Sequence, residues 1–117
     1  MPSRDPVRRF EDILENINRI ERFTQGMDFA AFSANEQAVY AVNHALLILS
    51  EAAAKLGEQA EHLCPQIVWA DIRGLGNRLR HDYANINLIR IWLIVEKELA
   101  PLKAAVNQAL QSLHDQD

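Results

Sequence analysis

Between Arg73 and Tyr83 the chain reads RGLGNRLRHDY, a stretch crowded with side chains that can handle a phosphate. Arg73, Arg78 and Arg80 are forked cations that match phosphate oxygens, and His81, with an ordinary pKa of about 6.5, suits proton transfer at neutral pH. No acid interrupts the segment from Ile72 to His81, although the whole chain carries net charge -4. A cationic island on an acidic protein fits a phosphate site. The alternative is that the arginines pair with the surplus carboxylates across the surface, and composition alone does not separate the two. Tyr83 adds a phenol two residues beyond His81, where spacing by itself suggests a tyrosine packed at a helix junction.

Other chemistry is thin. Gly74 to Gly76 reads GLG, but no strand precedes it, no third glycine follows and no Gly-Lys-Ser/Thr is present, so it is not a phosphate loop. The four histidines, His44, His62, His81 and His114, lack metal-ligand spacing, and no H-E-x-x-H occurs. His44 lies in an apolar stretch and reads as a core or interface histidine, whereas His62 and His114 read as solvated. Asp82 either orients His81 or begins a cap, and Glu51 is placed to pair with an arginine of the island. The single cysteine, Cys64, cannot form an internal disulfide and reads as a structural or surface thiol.

The elements that must carry these residues form one domain, residues 1–117. Hydrophobic content of 49% with 24% charged residues excludes a disordered chain. The longest apolar runs, Ala45 to Leu49 and Ile91 to Val95, fall far short of the roughly 20 residues that cross a membrane. The N-terminal segment carries acids where a signal peptide would be apolar, so the expectation is a cytoplasmic protein without a membrane partner. The acidic balance argues against coating nucleic acid nonspecifically, and any such contact must be local.

Apolar residues recur at helical spacing throughout. Asp5 and Pro6 supply a cap and a first-turn proline for a helix with Val7, Phe10, Ile13, Ile17, Ile20 and Phe23 on one stripe, stopped near Gly26. Ser33 and Glu36 suggest a capping box for a second helix, with Val39, Val42, Leu46, Leu49, Ala53 and Leu56 facing inward as far as Gly57. The polar residues from Glu58 to Pro65 leave helix and loop both open. Ile72, Leu75 and Leu79 mark a short third helix in the region of Trp69 to Arg80, and a last helix starts near Asn87, with a kink expected at Pro101. Its turn LIRIWLIV is apolar nearly all round and wants cover on more than one side. The expected architecture is an all-α, antiparallel up-and-down four-helix bundle with a short additional helix or extension, homodimeric.

The segment IVWADIRGLGNRLRHDY, followed by IWLIVEKELAPL and preceded by LSEAAAKL, resembles the HEPN family, specifically the HepT-like toxins of bacteria and archaea. The resemblance covers most of the chain. The family signature is an arginine, usually followed by asparagine, then four to six residues to a histidine, with H-x-Y in the HepT-like branch. Asn77, His81 and Tyr83 match, and Gly76 stands where the arginine belongs. The resemblance implies metal-independent RNA cleavage with no cofactor, in which the ribose 2′-hydroxyl attacks the adjacent phosphate. His81 would carry the proton, and Arg73 or Arg80, each one turn from Gly76, would supply the missing cation, with Asn77 and Arg78 as RNA or phosphate contacts. It further implies a homodimer with a composite cleft, and a minimal nucleotidyltransferase antitoxin that attaches AMP to Tyr83. The other reading is a silent HEPN protein, its motif decayed, serving as a nucleotide-binding or regulatory partner of a nucleotidyltransferase.

Overall fold

The computed structural model describes residues 5–116, and the first four residues of the N-terminal segment discussed above lie outside them. Among the described residues every regular element is helical. The principal helices are α1 (Pro6–Phe23), α3 (Glu36–Leu56), α5 (Trp69–His81) and a terminal rod built from α6 (Leu88–Leu93), a five-residue π-helical segment and α7 (Leu99–Asp115). Two short helices, α2 (Phe29–Ala34) and α4 (Glu58–Leu63), fill the connections before and after α3. The chain is therefore the expected helical bundle, with two short extra helices rather than one.

α1 begins as its sequence demands, because the Asp5 side chain accepts from the Arg8 amide at 3.0 Å and Pro6 occupies the first turn. Phe10, Ile13, Ile17 and Ile20 are fully buried against α3 and α7, while Phe23, at the end of the same stripe, is exposed. The N-cap of α3 is Asn35 rather than Ser33. Asn35 Oδ1 accepts from the Ala38 amide at 2.9 Å, and Ser33 sits in the last turn of α2, its hydroxyl turned back to the Ala30 carbonyl. α2 starts on its own cap, Asp28, so the capping-box pattern spanned a helix end instead of a helix start.

α3 is the spine. It packs on α1 along one side and on α5 along the other, burying Val42, Leu46, Leu49, Ala53 and Leu56. Gly57 ends it at φ 57°, a left-handed conformation that glycine adopts without a Cβ penalty, and the chain turns at once into α4. The polar segment after Gly57 is thus helix from Glu58 to Leu63. Trp69 then anchors the start of α5. Its ring is buried edge-on to Phe10 at 6.4 Å and its Nε1 donates to the Cys64 carbonyl at 3.0 Å.

Pro101 does not break the terminal rod. The Leu99 amide bonds to the Ile94 carbonyl, five residues back, and the π-helical segment Ile94–Glu98 shifts the ladder so that Pro101 falls in the first turn of α7. Ile91, Trp92 and Ile94 are buried, but Ile89 and Leu93 of the same apolar turn remain exposed. No helix among the described residues is long and apolar enough to cross a membrane. α5 and the terminal rod flank an open groove of about 330 Å³, floored by Leu46, Leu49 and Leu75 and rimmed by Arg78, Arg90 and Lys97.

Candidate functional site

α5 distributes the cationic island by helical geometry. At about 100° per residue, Gly76, Arg80, Arg73, Asn77 and His81 fall in order along one arc, with Arg73 set apart from His81 along the helix axis rather than round it, whereas Arg78 turns away. The structure follows this division. Arg80 Nη2 donates to Asn77 Oδ1 at 2.6 Å, and its Nη1 stands 3.7 Å from Glu51 Oε1 of α3. Asn77, Arg80 and His81 are all exposed on that arc, and among the described residues no group bonds the His81 ring. Arg78 is exposed at the edge of the apolar groove.

Arg73 is elsewhere and engaged. Its guanidinium meets Glu61 of α4 in a two-pronged pair, Nη1 to Oε2 at 2.7 Å and Nη2 to Oε1 at 2.8 Å. Nη2 also donates to the Gly57 carbonyl at 2.8 Å, and Nε to the Ala53 carbonyl at 3.4 Å. These are carbonyls of the α3 C-terminus, which a helix leaves without internal partners and which favour a cation. The mutual hydrogen bond holds Glu61 below the usual carboxylate range and pushes Arg73 up. Eight residues along the helix, Arg73 is roughly 12 Å from His81 on the helix axis. The structure therefore does not bring Arg73 to the histidine, and its reading as the replacement cation gives way to one as a clamp on the α3–α4 corner.

Gly76 is buried where α5 crosses α3. A Cβ there would meet Ser50 Oγ and come within 2.6 Å of Ser50 Cβ, and it would lie 3.6 Å from Arg80 Nη1. The first two contacts mean that any side chain at this position forces the helices apart. The third means that the Arg80 guanidinium hangs beside the very point from which an arginine at residue 76 would emerge.

Beyond His81 the helix ends, and a single 3₁₀ turn, Tyr83–Asn85, redirects the chain. Asp82 is tied across this turn, its side chain accepting from Asn85 Nδ2 at 2.7 Å, and among the described residues it makes no hydrogen bond to His81. Tyr83 is 43% exposed, its ring 6.0 Å from that of Tyr40 on α3, and its hydroxyl accepts from Asn43 Nδ2 at 3.5 Å. Tyr40, Asn43, His44, Leu47, Leu79 and Tyr83 line an open cavity of about 180 Å³. His44 is exposed at this cavity instead of lying in the core. Tyr40 and Asn43 were not legible as site residues in the sequence. Their one signal was i, i+3 spacing on α3, which looks the same as core patterning.

The remaining candidates are structural. His62 and His114 are exposed, as their polar surroundings suggested. Cys64 is fully buried, donates weakly to the Ala105 carbonyl at 3.5 Å, and has its thiol pushed up to about 11 by burial, which makes it an inert core thiol.

A helical bundle that presents Asn-x3-His-x-Tyr at the end of one helix defines a class, and comparison with known proteins identifies it. The described match is to the ribonuclease HepT-like family, over residues 13–109. A protein of Methanocaldococcus jannaschii provisionally named an RNase is 34% identical over 106 residues, 91% of this chain and 97% of its own. A protein of Thermococcus cleftensis provisionally named ribonuclease HepT is 31% identical over 93 residues, covering 80% of this chain and 84% of its own. A second Methanocaldococcus jannaschii protein provisionally named an RNase is 30% identical across the whole of this chain and 97% of its own. No solved structure gives a significant match. The chain belongs to the HepT-like ribonuclease family.

Proposed function

We propose that this chain is a metal-independent endoribonuclease of the HepT type, with His81 as proton carrier and Arg80 as the cation over the phosphate. The observation that carries this reading is the position of the Arg80 guanidinium. It lies 3.6 Å from the Cβ point of residue 76, held by Asn77 and loosely by Glu51, and so offers a cation where the family arginine would otherwise begin. In the step, the imidazole takes the proton of the ribose 2′-hydroxyl as that oxygen attacks phosphorus. The bond to the 5′-oxygen breaks, a protonated imidazole supplies its proton, and a cyclic phosphate and a free 5′-hydroxyl result. The guanidinium offsets charge that gathers on the phosphoryl oxygens, a contribution of about 2.7–4 kcal/mol by analogy with an oxyanion-hole donor. Arg78 and Asn77 contact the flanking backbone.

The composite cleft requires a homodimer, and the exposed Ile89 and Leu93 support a second copy as the cover the terminal rod lacks. Tyr83 is the acceptor of AMP from a partner nucleotidyltransferase antitoxin. The exposure of Tyr83 supports this role, and an anionic adduct two residues from His81 would close the phosphate site by charge and size. The setting of such a pair is the cytoplasm. The test is incubation of purified protein with RNA, with and without chelator. Chelator-insensitive cleavage yielding cyclic-phosphate ends, abolished in His81→Ala and cut strongly in Arg80→Ala, is expected. Equal residual cleavage in every variant would mean contamination and defeat the reading.

A further inference from the structure

We infer that the cavity between α3 and the 3₁₀ turn is a subsite for a single adenine base. The inference rests on the nuclease reading for the source of that base, which is the RNA residue next to the phosphate at His81. Tyr40, Asn43, His44 and Leu47 occupy one face of α3 at i, i+3, i+4 and i+7, and Tyr83 closes the space opposite. At about 180 Å³ the cavity is below the range typical of sites for whole drug-sized ligands and suits one heterocycle.

Two features point to a base. The first is aromatic: Tyr40 is 61% exposed, with its ring 6.0 Å from that of Tyr83 at 46°, a pair of π faces that single-stranded nucleic acid uses for stacking. The second is an orphaned amide. Asn43 is 3% exposed, its side chain makes among the described residues one bond, the long 3.5 Å donation to the Tyr83 hydroxyl, and its buried Oδ1 has no partner there. Buried polar groups are nearly always satisfied, so an unpaired acceptor in a cavity wall calls for a ligand that donates. An asparagine amide pairs bidentately with adenine: the N6 amine donates to Oδ1 while Nδ2 donates to N7. The base would displace the Tyr83 hydroxyl from Nδ2 and supply what Oδ1 lacks. Guanine presents only acceptors, N7 and O6, on that edge. Cytosine, with its N4 amine beside N3, and uracil, with N3–H beside O4, offer the amide a similar donor–acceptor pair but from a single ring with a smaller face for Tyr40 and Tyr83 to stack on, so the purine is favoured.

The experiment is a titration of the full-length protein with AMP, CMP, GMP and UMP, followed by NMR of the Asn43 side-chain amide and the tyrosine rings. AMP is expected to shift both and to bind about tenfold more tightly than UMP. Tyr40→Ala, a change at an exposed position that the fold tolerates, is expected to weaken AMP about tenfold, Tyr40→Phe to retain it, and Asn43→Leu to erase the preference for adenine over guanine. Equal binding of the four nucleotides, or unchanged AMP binding in Tyr40→Ala, overturns the subsite. Non-cleavable 2′-O-methyl tetranucleotides carrying one adenine at each position in turn decide the source. A preference at one position assigns the pocket to RNA, whereas AMP binding with no positional preference overturns that assignment in favour of a free adenine nucleotide. The nuclease reading fails separately: Asn43-dependent AMP binding with no His81-dependent cleavage leaves the subsite standing alone. Cleavage by Asn43→Leu that keeps both the wild-type rate and the wild-type preference among bases removes the subsite alone.

Discussion

The two ends of α5 carry the same kind of residue and use it in opposite ways. At the N-terminal end Trp69 is buried and hydrogen-bonded, and Arg73 spends its guanidinium on Glu61, Gly57 and Ala53. At the C-terminal end Arg80 has one short bond and one loose ion pair, His81 is exposed, and the neighbouring Asn43 has an unpaired oxygen. A satisfied cation is bound into the fold and has little left to offer a ligand. One held loosely and exposed can be redirected to a phosphate at small cost. A run of like residues in a sequence is therefore not a single functional unit, because the partners each side chain meets decide which part is scaffold and which part is site.

Substitutions can break this contrast, beginning with the largest effect. His81→Ala is expected to abolish RNA cleavage and Arg80→Ala to lower its rate about a hundred- to a thousandfold. Both should leave the melting temperature close to that of wild type, as befits exposed positions. If Arg73→Ala instead gave the larger loss of rate at unchanged stability, the division of α5 would be wrong. At the closed end, Cys64 should resist alkylation. With its pKa raised from 9.0 to about 11, the thiolate fraction at neutral pH is about a hundredfold below that of the unfolded chain, and iodoacetamide labelling with and without denaturant measures the difference.

Gly76 marks the boundary between the ends. Gly76→Ala should destabilise by about 1–2 kcal/mol despite the better helix propensity of alanine, since the new Cβ collides with Ser50. In a Ser50→Gly background that penalty should largely vanish, and urea unfolding of the four proteins of this cycle measures the coupling. Arg73→Ala should cost about 1–2 kcal/mol by the same measurement, through the hydrogen bonds lost at the Ala53 and Gly57 carbonyls and a stranded Glu61. The smallest effect is in pH. Because Arg73 holds the folded-state pKa of Glu61 below 4.5, ionised Glu61 stabilises the fold above that pH, and the contribution is lost as pH falls through the lowered value. The advantage of wild type over Glu61→Gln should accordingly be present at pH 7 and disappear in acid.

Much of this was readable in advance. The helix spans follow from three-four spacing, and the cap Asp5 and the start of the last helix near Asn87 from nearby residue types, because those signals are local and act through the backbone beside them. Ser33 misled because the same pattern fits the end of one helix and the start of another, and only the presence of α2 decides between them. At Pro101 the π-helical segment Ile94–Glu98 shifts the hydrogen-bond ladder just upstream and leaves the proline in the first turn of α7, where its missing donor costs little.

Sequence by itself determined that the protein is helical, that its cations gather on one short helix, and that His81 and Tyr83 close that helix, since each of these depends on residue type and near spacing. Tertiary structure alone decided that Arg73 is bound to the α3–α4 corner, that Gly76 packs against Ser50 of α3, and that Tyr40 and Asn43 reach Tyr83. Those outcomes turn on which side chain finds a partner 12 or more residues away. Such pairing is set by how helices pack, and no local pattern encodes it.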